Sequence, residues 1–289
     1  MADKLKIGLI QLCGCSGCHI SLLDLHDQLL EVLPNLEIVY APIIADVKEI
    51  PEGIDVFCIE GGAKNEHDKH LMEEIREKSK VVVAWGTCAA YGGIPGLGNL
   101  YSTENLENEV YSTNSTDETK GTIPSENVPK LLDRLIPAPE VIDVDVVLPG
   151  CPPTPKMIAN AILALAGVEE LNIPKKIVCD ECKREKDLVT PIKLKRTCEG
   201  IPDPKKCLYE QGYTCMGMGT VAGCNAQCPM AGVPCRGCFG KTEIVLDQGS
   251  ALSDAYAVTS NAILELKDKV ALFNRFSLPA ALINRKIEK

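Results

Sequence analysis

Fifteen cysteines in 289 residues are the chemistry-bearing feature of this sequence, and they fall into two sets. The first is scattered: Cys13-Gly-Cys15-Ser-Gly-Cys18, then Gly86-Thr87-Cys88, then Pro149-Gly150-Cys151-Pro-Pro. The second is dense: Cys179-x-x-Cys182, Cys207, Cys215, Cys224-x-x-x-Cys228 and Cys235-x-x-Cys238. Thiolates in such pairs ligate soft metals, either iron in iron–sulfur clusters or zinc. Four thiolates around an iron–sulfide cubane leave a net negative charge, which N–H groups at helix starts and glycine-rich turns help to hold. Zinc takes similar pairs, so the spacing of the dense set alone leaves both metals open. Three cysteines stand apart. Cys58 lies in an apolar run and reads as a small core residue. Cys13 competes with Cys15 for the first site, though Cys15-x-x-Cys18 is the better chelating pair. Cys198 is a substitute candidate for the group around Cys179.

Cys15, Cys18, Cys88 and Cys151 can meet only if the chain folds back on itself repeatedly. Short, largely apolar runs at 6–12, 36–40, 55–60, 80–85 and 145–148 predict strands of a parallel sheet covered on both faces. Amphipathic stretches at 19–33, 66–79 and 155–166 predict helices between them. The last opens with Pro155 and stops at Gly167. This alternation implies an open, doubly wound α/β sheet with right-handed crossovers. Turns that follow its strands share one carboxyl edge, where such folds bind ligands. Three cysteine-bearing loops follow strands, so one edge can collect all four thiols. Residues 101–127, rich in Ser, Thr, Asn and Glu, read as a long surface excursion. Beyond Val168 the texture changes: residues 179–238 carry nine cysteines and few long apolar runs. A segment so poor in core needs metal staples. The expected division is an α/β domain over 1–168 and a smaller, irregular domain over 169–289, with helical character returning around 255–265.

Composition narrows the function classes. Hydrophobic residues at 45% and charged residues at 24% describe a folded chain. Aromatics at 4% offer little surface for stacking bases. A net charge of −10 gives no basic face for nucleic acid or an anionic membrane. No apolar run reaches the roughly 18 residues that a membrane helix needs. The start shows neither a secretory apolar stretch nor a twin-Arg pair, so a cytoplasmic location is expected, where thiols hold metal rather than form disulfides. The four histidines, His19, His26, His67 and His70, are assigned to helices, and the last two to a solvated face. No nucleophile signature, Walker-type loop or dinucleotide fingerprint occurs.

Taken together, Cys15-Ser-Gly-Cys18-His-Ile-Ser21, Glu60-Gly61, Gly86-Thr-Cys88-Ala and Pro149-Gly-Cys151-Pro-Pro resemble the small subunit of NiFe hydrogenases. Lys206-Cys207-Leu-Tyr-Glu-Gln-Gly and Pro234-Cys235-x-x-Cys238 extend the resemblance to about residue 240. It implies a flavodoxin-like domain with a proximal 4Fe–4S cluster on Cys15, Cys18, Cys88 and Cys151. It also implies a distal cluster on Cys179, Cys182, Cys207 and Cys215, and a medial one on Cys224, Cys228, Cys235 and Cys238. Many relatives carry histidine where Cys179 stands, and several carry proline at Cys228 with a three-iron cluster. With cysteine at both, three 4Fe–4S clusters are expected, and no nickel in this chain. Thiolate in place of imidazole adds negative charge and lowers a cluster's potential.

Within the family the resemblance is greatest to the soluble group of methanogenic archaea that reduces methyl viologen and not the deazaflavin coenzyme. It implies an electron-transfer subunit beside a NiFe large subunit, passing electrons to a small, delta-type iron–sulfur subunit and on to heterodisulfide reductase. Two other readings remain at this stage. One is the cluster-bearing subunit of another cytosolic hydrogenase or a respiratory dehydrogenase. The other is a zinc-stapled interaction protein without redox chemistry.

Overall fold

The apolar runs assemble as a five-stranded sheet in which every neighbouring pair is parallel. Seven strands occur in the computed structural model, which describes residues 4–115 and 121–284. They are β1 (Leu5–Gln11), β2 (Leu36–Tyr40), β3 (Ile54–Glu60), β4 (Ala63–Asn65), β5 (Ser79–Trp85), β6 (Leu131–Ile136) and β7 (Val146–Leu148). The order β2-β1-β3-β5-β7 is that of a flavodoxin-like doubly wound sheet, with its switch point between β1 and β3. The central strands are apolar on both faces because each face is covered. Ile7, Leu9, Val56, Val83 and Trp85 pack with Met157, Ile158 and Ile162 of the helix Pro155–Leu165. On the opposite face, Phe57, Ile59 and Val82 pack with Met72 and Ile75 of the helix Glu66–Lys78. Asn65 caps that helix, its side chain accepting from the Asp68 N–H at 2.8 Å.

Three expectations need correction. The helix expected over 19–33 is broken into Gly17–Leu23, a 3-10 turn His26–Gln28, Leu29–Val32 and a second turn Leu33–Asn35. Leu22, Leu25, Leu29 and Val32 still face inward at helical spacing, but His26 takes a left-handed φ of 49° and interrupts the hydrogen bonding. The polar excursion over 101–127 contains the helix Thr103–Tyr111, started by the Ser102 side chain; residues 116–120 lie outside the described residues. Just beyond it, β6 pairs antiparallel with β4, forming a second small sheet, and Lys64 ties the two together through the carbonyl of Leu132 at 2.8 Å.

After the sheet the chain forms short elements: Val178–Glu181, Gln227–Met230, Gln248–Thr259 and Lys269–Phe273. The helical character expected around 255–265 is present but begins earlier, as the helix Gln248–Thr259 followed by a 3-10 turn Asn261–Glu265. Between them stands Ser260, whose hydroxyl donates to the Pro191 carbonyl at 2.6 Å. A separate core of Val178, Leu252, Tyr256, Leu272 and Phe273 gathers here. The two regions interlock, since Val221 and Phe239 enter the core beneath the sheet. No helix among the described residues is long and apolar enough to cross a membrane.

Candidate metal centres

Cys15 lies in the turn after β1 and Cys18 in the first turn of the helix Gly17–Leu23, where two backbone N–H groups need acceptors. The Glu60 carboxylate, 1% exposed at the end of β3, supplies them: it accepts from Cys18 N–H at 3.4 Å and His19 N–H at 3.3 Å. Its second oxygen lies 2.5 Å from His19 Nδ1, so the pair is locked beneath the loop. Cys88 opens the turn after β5 and Cys151 the turn after β7. Thr87 joins these two, its N–H donating to the Gly150 carbonyl at 2.8 Å and its Oγ1 accepting from Gly150 N–H at 3.2 Å. Ser21 adds a bond to the Pro153 carbonyl at 2.6 Å. The carboxyl edge thus gathers Cys15, Cys18, Cys88 and Cys151, as the spacing predicted. Burial pushes the Cys18 thiol far above the usual range, followed by the charges of Glu60, Cys88, Cys151 and Cys15. Burial and then Cys151 and Cys15 push Cys88 up to about 12.

Glycine is required at this edge. Gly86 has φ +85°, and a Cβ there would lie 2.4 Å from Cys18 Sγ. At Gly93, with φ +57°, a Cβ would lie 2.4 Å from Cys88 Sγ. The space beside these sulfurs is therefore kept clear of protein atoms.

In the other region, Cys179, Cys182, Cys207 and Cys215 line one small cavity together with Val178, Leu208, Tyr209 and Pro229. Burial, then Cys215, Cys207 and Cys182, push Cys179 up to about 12, against an opposing pull from Lys186. Cys215 rises to about 11, chiefly through burial. Cys224, Cys228, Cys235 and Cys238 form the third group. The Cys238 thiol, pushed up to about 12 by burial, also feels Cys224 and Cys228, and Cys235 feels Cys238 and Cys224. Closely spaced thiols, several of them buried, ionise together only where positive charge lies near them, which a bound metal would supply.

The three groups stand in a row. Cys238 of the third group also feels Cys151 of the first, and its carbonyl accepts the Thr87 hydroxyl at 2.6 Å. On its other side, Cys235 feels Cys215, and its N–H donates to Cys215 Sγ at 3.3 Å. The group over 224–238 therefore lies between the other two. Among the described residues, no three His, Cys, Asp or Glu side chains are close enough to share a single ion.

The cysteines outside the groups are placed elsewhere. Cys13 bridges to Gly62, and the charges acting on its thiol are Asp68 and Lys64. Cys58 packs within β3, and Cys198 is exposed. His70 is exposed on its helix, whereas His19 is buried against Glu60 and 4.8 Å from the Trp85 ring. Glu60, His19, Thr87 and Ser21 stand within the motifs quoted from the sequence, but sequence reasoning gave them no role in the site. For Glu60, a carboxylate ending an apolar strand was a further signal.

The fold is that of the hydrogenase small-subunit class. The crystal structure of a NAD+-reducing [NiFe]-hydrogenase in the H2-reduced state contains a chain 31% identical to this one. It superposes with a TM-score of 0.56, covering 60% of this chain and 96% of its own. A [NiFeSe] hydrogenase chain from Desulfovibrio vulgaris Hildenborough shares the fold at 19% identity and a TM-score of 0.51, over 82% of this chain and 94% of its own. A family model described as "NADH ubiquinone oxidoreductase, 20 Kd subunit" matches residues 15–165, and the chain belongs to that family.

Its similarity to individual members is specific. It is 68% identical over 289 residues to a subunit of the vhu F420-non-reducing hydrogenase of Methanococcus voltae, across the whole of both chains. It is 44% identical over 306 residues to the corresponding F420-non-reducing hydrogenase subunit of Methanothermobacter thermautotrophicus, covering 100% of this chain and 99% of the relative. The chain is thus a hydrogenase small subunit of the F420-non-reducing type. As such it is a member of an oxidoreductase complex that carries iron–sulfur clusters beside a NiFe large subunit.

Proposed function

We propose that this subunit conducts electrons from hydrogen oxidation at the large subunit through three 4Fe–4S clusters in sequence. The proximal ligands are Cys15, Cys18, Cys88 and Cys151; the medial, Cys224, Cys228, Cys235 and Cys238; the distal, Cys179, Cys182, Cys207 and Cys215. Electrons then pass to a small delta-type iron–sulfur subunit and on to heterodisulfide reductase, in the cytoplasm. On this reading the chain divides at 168/169 into a domain for the proximal cluster and a domain for the other two.

The observation that carries the proposal is the row of three four-cysteine groups, joined by Thr87 to Cys238 on one side and by Cys235 to Cys215 on the other. The clusters supply the one-electron chemistry, and the protein supplies ligation, order and surroundings. Glu60 and Thr87 hold the cysteine loops in register, and Gly86 and Gly93 leave room beside the sulfurs. With thiolate at Cys179 and at Cys228, the distal and medial groups are more negative than sets containing histidine or lacking a ligand. That favours low potentials and a low-potential acceptor.

The test is anaerobic purification of the native complex, followed by exposure to hydrogen. The proposal expects a nickel-bearing partner, the delta-type subunit, and reduced 4Fe–4S signals on this chain under hydrogen. A chain that purifies without a nickel subunit, or whose clusters stay oxidised under hydrogen, would refute it.

A further inference from the structure

Arg184 is buried, and no carboxylate answers it. It is 6% exposed, its Nε donates to the Pro229 carbonyl at 2.6 Å, and one terminal nitrogen donates to the carbonyls of Asp203 at 2.7 Å and Lys206 at 2.8 Å. Every other buried or half-buried arginine with a side-chain partner differs: Arg76 meets Asp145, Arg134 meets Glu140 and Arg196 meets Asp268. Among the described residues Arg184 makes no ion pair. Arginine stays charged at any physiological pH. A buried charge without a countercharge is strongly unfavourable, and carbonyl dipoles offset only part of that cost.

Arg184 borders the cavity lined by Cys179, Cys182, Cys207 and Cys215. Its bonds also reach both neighbouring loops, since Pro229 follows Cys228 and Lys206 precedes Cys207. Lys186 borders the same cavity and its charge reaches the Cys179 thiol, but it bonds the carbonyls of Cys179 and Cys182 from an exposed position, where water weakens it.

We infer that the buried Arg184 guanidinium is the fixed countercharge of the distal cluster and, through its carbonyl bonds, the residue that positions the Cys207 and Cys228 loops against each other. This rests on the reading of Cys179, Cys182, Cys207 and Cys215 as cluster ligands. Reduction adds an electron to a group that is already negative, so a nearby positive charge favours the reduced form and raises the potential. It acts against the extra thiolate at Cys179, and the distal cluster stays reducible by its neighbour.

The experiment is an EPR-monitored redox titration of the anaerobically purified complex, with iron and sulfide counted, for the wild type, Arg184→Gln and Arg184→Lys. Removing one charge from a partly screened interior shifts the reduction equilibrium by about tenfold, or about 59 mV for a one-electron couple. Arg184→Gln is expected to lower the distal potential by that amount with the other two clusters nearly unmoved. Arg184→Lys, which keeps the charge and loses the fork of hydrogen bonds, is expected to restore most of it. If Arg184→Gln fails to assemble while Arg184→Lys assembles with a near-wild-type potential, charge remains the deciding property and the inference stands. Equal shifts in both variants, equal loss of iron from both, or no shift in either would overturn it. A wild-type chain lacking the distal cluster would instead refute the proposed function, which the iron count reveals before any variant is compared.

Discussion

The thiols at the sheet edge and those beyond residue 178 are held by different means. Cys18 and Cys88 follow β1 and β5, strands whose residues Ile7, Leu9, Val82 and Ala84 are at most 3% exposed and hydrogen-bonded into a continuous ladder. Their loops are tied by hydrogen bonds of Glu60 and Thr87. Cys207 and Cys215, by contrast, sit in chain joined to its surroundings by isolated bridges, Glu185 to Lys206 and Lys195 to Tyr213. Around Cys228 there is one short helix, Gln227–Met230. The contrast teaches that a sheet prepares a site in advance, whereas irregular chain acquires its order together with the inorganic core it surrounds. Metal binding free energy then becomes folding free energy.

The largest effect follows from that coupling. If iron is stripped from the complex with a chelator, hydrogen exchange should leave the amides of β1, β3 and β5 protected. Those over 179–238 should lose at least about a hundredfold, equivalent to roughly 2.7 kcal/mol of local opening free energy. Equal retention in both regions would erase the comparison.

A pair of glycine variants sharpens it. At Gly86 a side chain meets both a left-handed backbone and Cys18 Sγ, so Gly86→Ala should cost about 1–3 kcal/mol and displace the proximal cluster. At Gly217 the nearest atom is Cys179 Sγ at 3.1 Å, and the looser surroundings can move. Gly217→Ala should cost less than about 1 kcal/mol and keep its iron. Thermal denaturation with iron analysis compares the two.

Replacing a single ligand probes the middle of the row. Cys228 is exposed at the end of its group, so Cys228→Pro should lose one iron and give a three-iron signal in the oxidised protein by EPR. The proximal spectrum should not change. If no new signal arises, the assignment of Cys228 is wrong.

The smallest effect concerns acid. Asp145, at the edge of the sheet, is held below the usual carboxylate range by its hydrogen bonds from Arg76 and the Val82 N–H. A depressed carboxylate stabilises the fold above its unfolded value of about 3.9. That contribution is lost as pH falls through the lower folded value. Asp145→Asn should therefore flatten the acid limb of the stability profile only below about pH 4, and only slightly, because the pair is partly solvated. An equal loss at pH 7 and pH 3 would contradict this.

Much of this was legible in the sequence. Apolar runs and the glycine turns after them gave the parallel sheet and the meeting of Cys15, Cys18, Cys88 and Cys151. What was hidden depended on contacts between distant residues. β4 has three residues and takes its identity from β6, about 70 positions later. The interruption at His26 and the capping of Thr103–Tyr111 are local events within stretches whose average texture pointed elsewhere. Glu60, Thr87 and Arg184 are ordinary residue types, and their roles appear only once the loops they join are neighbours. The order of the three groups was likewise unreadable from spacing, because the group last in sequence lies between the other two.

The most direct measurement is iron and acid-labile sulfide per chain in anaerobically purified native protein. Three fully ligated cubanes require about twelve of each and no stoichiometric zinc. About four of each would leave the sheet-edge cluster alone, and zinc without sulfide would make the thiols beyond residue 178 structural staples, contradicting an electron path along this chain.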